Sequence, residues 1–210
     1  MKSLRVKVIL EEGGVQMVNE KVKYADIVTE AKKKWEGLSP REKELSHRVF
    51  RRGIERWCLM WDIVKEIEKE FGINAKGIMR KVIWEKSFKA GQELAKKYDK
   101  HGTKELYDAF NSQFEGIVEA EWLEFNDEIL HKWNHVCPNL QHLKDVGRTE
   151  EEIKEMAPYY CLQDIGIMTG FNPELEVYPQ SRLLMAGDPH CTYRVEDRGQ
   201  KSGKKTDNIV

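Results

Sequence analysis

Residues 116–137, GIVEAEWLEFNDEILHKWNHVC, divide the chain into two kinds of pattern. Before them apolar side chains recur at helical spacing. Within them the runs Ile117–Phe125 and Glu128–Cys137 flank Asn126–Asp127, which reads as a β-hairpin on a two-residue turn. Such a turn sets the register. It predicts Trp122 opposite His131, Ala120 opposite Trp133 and Val118 opposite His135. On the other face it pairs Leu123 with Leu130, and Glu121 with Lys132 as a cross-strand ion pair. The expected buried face then carries Trp122, His131, Trp133 and His135 with Cys137 at its end. Lys132 and Asn134 are expected in solvent.

Working back toward the N-terminus, Thr103 reads as the cap of a short helix reaching about Gln113, and Asn74 as the cap of one running through Ile78 and Val82 to Tyr98. The clearest start is Ser39–Pro40–Arg41–Glu42, a capping box with proline in the first turn. It predicts a helix to Phe71 with Gly72 as its stop. Its apolar face includes Val49, Phe50, Ile54, Trp57, Met60, Trp61, Val64 and Ile67. Asp26–Trp35 reads as a shorter amphipathic helix. Leu4, Val6 and Val8 alternate with charges as a strand that turns at Glu12–Gly14 toward Val15–Val18.

Working forward, Thr149–Glu152 is a second capping box, and Pro158 is expected to kink or restart its helix. The piece from Pro158 to Thr169 then places Cys161 and Asp164 three apart on one face. Leu175–Ala186 and His190–Glu196 read as a last hairpin around Gly187–Pro189, with Cys191, Tyr193 and Val195 inward and Thr192, Arg194 and Glu196 in water. The expected fold is α+β: a mostly helical N-terminal half packed on a small antiparallel sheet built from two C-terminal hairpins with an intervening helix. The expected divisions are 1–114, helical with short N-terminal strands; 115–197, an α+β domain; and 198–210, a polar disordered tail.

The chain has 210 residues and a formal net charge of -1, with no concentrated basic footprint for nucleic acid. No stretch has the length of a membrane span, and Met1–Leu10 mixes charges into its apolar residues, unlike a signal peptide. A cytoplasmic location with reduced cysteines is expected. A small-molecule ligand is the expected partner, and a homo-oligomer is left open.

Cys137, Cys161 and Cys191 arrive from three separate elements. Thiolates held together bind zinc or iron, and His190, His135 or Asp164 would complete a tetrahedral set. The plain alternative is that free cysteines pack as small hydrophobes, as Cys58 between Trp57 and Trp61 does. His131 and His135, with Trp133 between them, suggest a pocket wall, and histidine serves as a general base near neutrality. Asp164 and His135 are the candidate catalytic residues. Cys137, Cys161, Cys191 and His190 are the candidate metal ligands. His131, Trp133, Trp57 and Trp61 are the candidate substrate contacts, although tryptophans at helical spacing are more often core. Arg51, Arg52 and Arg182 are available for a substrate carboxylate.

The run Cys161-Leu-Gln-Asp164, the link Phe171-Asn-Pro173 and the ending Leu183-Leu-Met-Ala-Gly-Asp-Pro-His-Cys191-Thr-Tyr-Arg resemble the L-2-amino-thiazoline-4-carboxylate hydrolase family. Cys137, Cys161, Asp164, Gly187, Asp188 and Cys191 carry the resemblance. It covers the C-terminal residues well and the helical half loosely. A more distant similarity is to vinyl-reductase-type ligand-binding domains, some of which hold zinc through cysteines near their final strands. The first resemblance implies a metal- or thiol-dependent hydrolase opening a small cyclic nitrogen-containing acid. The second implies a non-catalytic sensor or carrier with a structural zinc.

Overall fold

The computed structural model describes residues 8–11, 14–17, 22–178 and 183–198. The N-terminal strands β1 (Val8–Glu11) and β2 (Gly14–Met17) pair antiparallel across residues 12–13, as their alternation predicts. Leu4, Val6, Arg182 and the expected tail from residue 199 onward lie outside the described residues.

Four helices follow. Helix α1 (Ala25–Glu36) is held near the later sheet by Lys23 and Tyr24, which both donate to the Asp127 carboxylate. Helix α2 (Pro40–Phe71) starts at the predicted box: the Glu42 N–H donates to Ser39 Oγ at 3.3 Å, and the Ser39 N–H donates to Glu42 Oε2 at 2.8 Å. It ends where Gly72 adopts φ 64°, a conformation costly for residues with a Cβ. Ile54, Trp57, Cys58, Trp61 and Val64 form its buried face. Val49 and Met60, expected on that face, are exposed, Val49 by 72%. Helix α3 (Ala75–Ala95) is capped by Asn74, which accepts from the Gly77 N–H at 2.7 Å. Helix α4 (Thr103–Leu106) runs into a π-helical turn at Tyr107–Asn111 and a 3-10 turn at Ser112–Phe114. Thr103 lies inside α4 and donates to the Asn126 carbonyl at 2.6 Å, so Gly102 takes the cap position.

The second half supplies one antiparallel sheet in the order β3-β4-β6-β5, from β3 (Ala120–Phe125), β4 (Ile129–Asn134), β5 (Leu175–Val177) and β6 (Cys191–Asp197). Helices α5 (Pro138–Asp145), α6 (Glu150–Tyr160) and α7 (Leu162–Phe171) lie between β4 and β5. The Thr149 capping box is present, and the restart expected near Pro158 falls at Cys161. The fold is α+β. The last hairpin differs in its interior: β5 stops at Val177, and Leu184–Ala186 is a 3-10 turn closed by Gly187 at φ 95°. Cys191, Tyr193 and Val195 point inward as expected, whereas Glu196, expected in water, is buried beside Arg194.

The hairpin register is a correction. Phe125 pairs with Leu130 and Glu124 with His131, but Trp122 pairs with Lys132, Glu121 with Trp133 and Ala120 with Asn134. Two local features cause this. The Asn126 side chain accepts from the Glu128 and Ile129 N–H groups, so the connection is longer than two residues. A β-bulge between Trp122 and Glu124 then slips the strand by one residue. Trp122 turns to the side of Phe125 and stacks on it at 4.9 Å. Leu130 and Lys132 are the buried residues of β4, and the expected inner face is the outer one.

Two apolar cores result. One joins α2 and α3 to α5 and α6; the other joins α1, the α4 region and α7 to the sheet. Both draw on residues from each side of position 115. Helices α3 and α7 cross at backbone contact. A Cβ on Gly91 would lie 2.0 Å from the Ile167 carbonyl oxygen, and one on Gly170 would lie 2.0 Å from that of Phe88. This crossing seats α7 against the first half of the chain.

Candidate active site

Helix α7, strands β4 and β6 and the start of α5 enclose a cavity of about 100 Å³. Asp164 enters it from the first turn of α7, and Cys161 from the joint between α6 and α7. Lys132 and Asn134 enter from β4, and Cys191 and Tyr193 from β6. Cys137 borders it as the N-terminal cap residue of α5. Asn111, from the π-helical turn, completes the polar wall; π turns recur where a helix must aim a side chain at a site.

The electrostatics are those of a partly buried pocket lined by groups of opposite charge. Burial raises the Asp164 carboxyl to about 6, with the Lys132 ammonium opposing the rise. Asp164 is half-buried and faces the cavity. Burial lowers the Lys132 ammonium to about 8 against the pull of Glu115 and Asp164. Lys132 is 3% exposed and lies over the rings of Trp122 and Tyr193, which replace part of its lost hydration.

All four cysteines are free. Burial raises the thiol pKa of Cys137, Cys161 and Cys191, that of Cys191 to about 11. Asp164 raises each further, and the N–H groups of Asn139 and Leu140 partly offset the rise at Cys137. Cys191 Sγ accepts from the Leu184 N–H at 3.1 Å. At neutral pH these groups rest as thiols. A buried thiol must lose its proton during attack rather than before it. Asn134 and Asn139 each border the cavity with a buried amide oxygen that has no hydrogen-bond partner. Such acceptors suit a ligand rich in N–H donors.

The sequence candidates divide sharply. Asp164, Cys137, Cys161 and Cys191 line the cavity together. His135 is exposed, with Nε2 3.2 Å from Glu121 Oε2, and does not border the cavity. Trp133 stacks on His190 at 4.4 Å away from the cavity, and His131 pairs in β4 with Arg194. The register correction accounts for all of these. Trp57 and Trp61 are core residues behind the site, packed edge-on or tilted against Tyr160 and Tyr159. Among the described residues, no group of three or more His, Cys, Asp or Glu side chains is placed to hold a metal ion. Arg51 is paired with Glu55 on the surface of α2. Lys132, Asn111, Asn134 and Asn139 were not legible as site residues. Only a lysine at a strand position flanked by aromatic residues hinted at the first.

Residues 51–195 match the family model described as L-2-amino-thiazoline-4-carboxylic acid hydrolase. The match runs from within α2 into β6 and includes every residue lining the cavity except Phe50. No curated protein and no solved structure matches the chain. Among the described residues no helix is long and apolar enough to cross a membrane.

Proposed function

The chain belongs to the L-2-amino-thiazoline-4-carboxylic acid hydrolase family, and from that premise we propose that it hydrolyses a small cyclic amidine bearing a carboxylate, with Asp164 as general base and Lys132 as carboxylate anchor. The observation that carries this reading is the buried Asp164–Lys132 couple in one small cavity. A zwitterionic ring has the complementary charges: its amidinium fits Asp164 and the free oxygens of Asn134 and Asn139, and its carboxylate fits Lys132.

The chemistry follows from those positions. With the substrate bound, Asp164 takes a proton from water as the water oxygen bonds to the amidine carbon. The tetrahedral adduct collapses by breaking the bond from that carbon to a ring heteroatom. The heteroatom keeps the electron pair and receives the proton from Asp164, which returns to its starting state. A carboxyl near 6 is well matched to both transfers at neutral pH. The three thiols supply a soft, weakly polar wall that keeps bulk water out. No step of this route calls on a metal; of Cys137, Cys161, Cys191 and His190, the three cysteines border the cavity and His190 does not.

The test is turnover of 2-amino-thiazoline-4-carboxylate by the full chain, followed as loss of ring absorbance, for the native protein and Asp164→Asn. Turnover that falls ~100-fold or more in the variant, with the melt retained, supports the base assignment. Binding without turnover by the native protein would make it a carrier instead. Equal turnover in both would remove Asp164 from the mechanism.

A further inference from the structure

A second cavity, about 360 Å³ in volume, lies between α1 and the α4–π region, apart from the cavity that holds Asp164. Its polar side chains are almost all engaged. Glu30 pairs with Lys34 at 3.4 Å. Asp108 accepts from the Tyr98 hydroxyl at 2.9 Å, Ser112 donates to the Asp108 carbonyl at 2.8 Å, and Gln113 donates to the Phe110 carbonyl at 2.9 Å.

Two groups bordering this cavity are different. Glu115 is 2% exposed, and neither of its carboxylate oxygens has a hydrogen-bond partner. Tyr107 is fully buried, and its hydroxyl also has none. The indole N–H of Trp122 is directed at Glu115 as a donor, but the contact falls short of full hydrogen-bond geometry. Burying a carboxylate and a phenol without partners is costly, and native sites that do so often complete the bonding with a ligand. With the Lys43 ammonium 6.0 Å from its ring centroid, Trp35 packs against the chain at Gly116. There φ is 83°, and a Cβ would lie 2.3 Å from Trp35 Cδ1, so only glycine lets the indole close down.

We propose that this cavity is a binding site for a small organic cation of the amidinium or guanidinium type, held by Glu115 and Tyr107. The charge and donor requirements agree. A planar cation offers parallel N–H donors to both carboxylate oxygens. The volume is that of a small-ligand pocket. Lys132 and Lys32 favour the charged form of Glu115 without bonding to it.

The test uses the full chain at low ionic strength, titrated calorimetrically with benzamidine, benzamide and benzoate, which share a ring and differ in charge. Benzamidine is expected to bind at least 10-fold tighter than benzamide, and benzoate not at all. Glu115→Gln is expected to weaken benzamidine by at least 10-fold and Tyr107→Phe by at least 3-fold, each with its melt checked. Because the other cavity is also proposed to take an amidinium, the titrations are repeated in Asp164→Asn, where the Glu115-dependent binding is expected to persist within 2-fold. Absence of benzamidine binding, equal affinity for the cation and the amide, unchanged affinity in both Glu115→Gln and Tyr107→Phe, or loss of the Glu115-dependent binding in Asp164→Asn would each overturn the proposal.

Discussion

Lys132 on β4 and Asp164 on α7 border one cavity, and each pulls the other toward its charged form against the penalty of burial. Neither charge sits there cheaply alone, because removing one partner of a buried pair leaves the other uncompensated. Lys132→Met is therefore expected to move the acid limb of the pH–rate profile upward from near pH 6, since the ammonium no longer holds the Asp164 pKa down. It is also expected to raise KM for a carboxylate substrate by ~10-fold or more, the loss of one charged hydrogen bond. Steady-state kinetics between pH 5 and 9, a span of about two units either side of neutrality, measure both. An unchanged limb would separate Lys132 from Asp164.

Asp164→Asn gives a stability signature with a definite sign. The folded carboxyl titrates near 6, above its ordinary 3.8, so the fold favours the protonated form. That contribution is complete below the unfolded value and is lost as pH rises through about 6. Well above pH 8, where the Lys132 ammonium is itself mostly neutral, the buried Asp164 charge costs on the order of 3 kcal/mol. The asparagine variant is expected to melt roughly 6–12 °C above the native protein at such alkaline pH, and at nearly the same temperature in mild acid. Thermal melts across that range check it. A lower melting point at alkaline pH would mean that the carboxylate is bonded in a way burial does not capture.

Gly91→Ala tests what seats α7, and so Asp164, against the first half of the chain. The new Cβ would meet the backbone at Ile167 and Phe171, which cannot rotate away as a side chain does. A loss of about 3 kcal/mol or more is expected, at the upper end of overpacking costs. The denaturant midpoint measures it. Gly53→Ala is the control, because nothing lies within 4 Å of a Cβ there and α2 gains helix propensity.

The helices were legible because their starts are written locally. Ser39, Asn74 and Thr149 each cap the helix that their side chains announce, and Gly72 ends α2 as expected. The thiol–carboxylate grouping was legible for a related reason, since Cys161 and Asp164 share one turn of chain and Cys191 sits on the inward face of an alternating strand. The face of the first hairpin was not. It depends on one bulged residue and on an Asn126 side chain that lengthens the turn, and a one-residue slip exchanges every side chain between faces. Lys132 was assigned to water because a lysine seldom pays the cost of burial. What permits it here, Glu115 and Asp164, arrives from distant parts of the chain. The face of α2 carrying Val49 and Met60 has helical spacing like the other, and the packing of α3, α5 and α6 decides which one closes.

His135→Ala and Cys161→Ser separate the remaining roles. His135 is exposed, bonded to Glu121 and away from the cavity. Its replacement is expected to leave kcat and KM within ~2-fold, the scale of a surface change. Cys161 borders the cavity beside Asp164, but its thiol is held protonated by burial and by that carboxylate. If water is the nucleophile, Cys161→Ser is expected to reduce kcat less than ~10-fold, because the wall remains and only its softness changes. If the thiol attacks, a serine hydroxyl with its far higher pKa cannot substitute, and kcat falls by ~1000-fold or more, as for nucleophiles elsewhere. Single-turnover kinetics on the native protein decide between the two in a second way. A covalent adduct on Cys161, trapped by acid quench and seen by intact-protein mass, would replace water with the thiol and recast Asp164 as the base that deprotonates it.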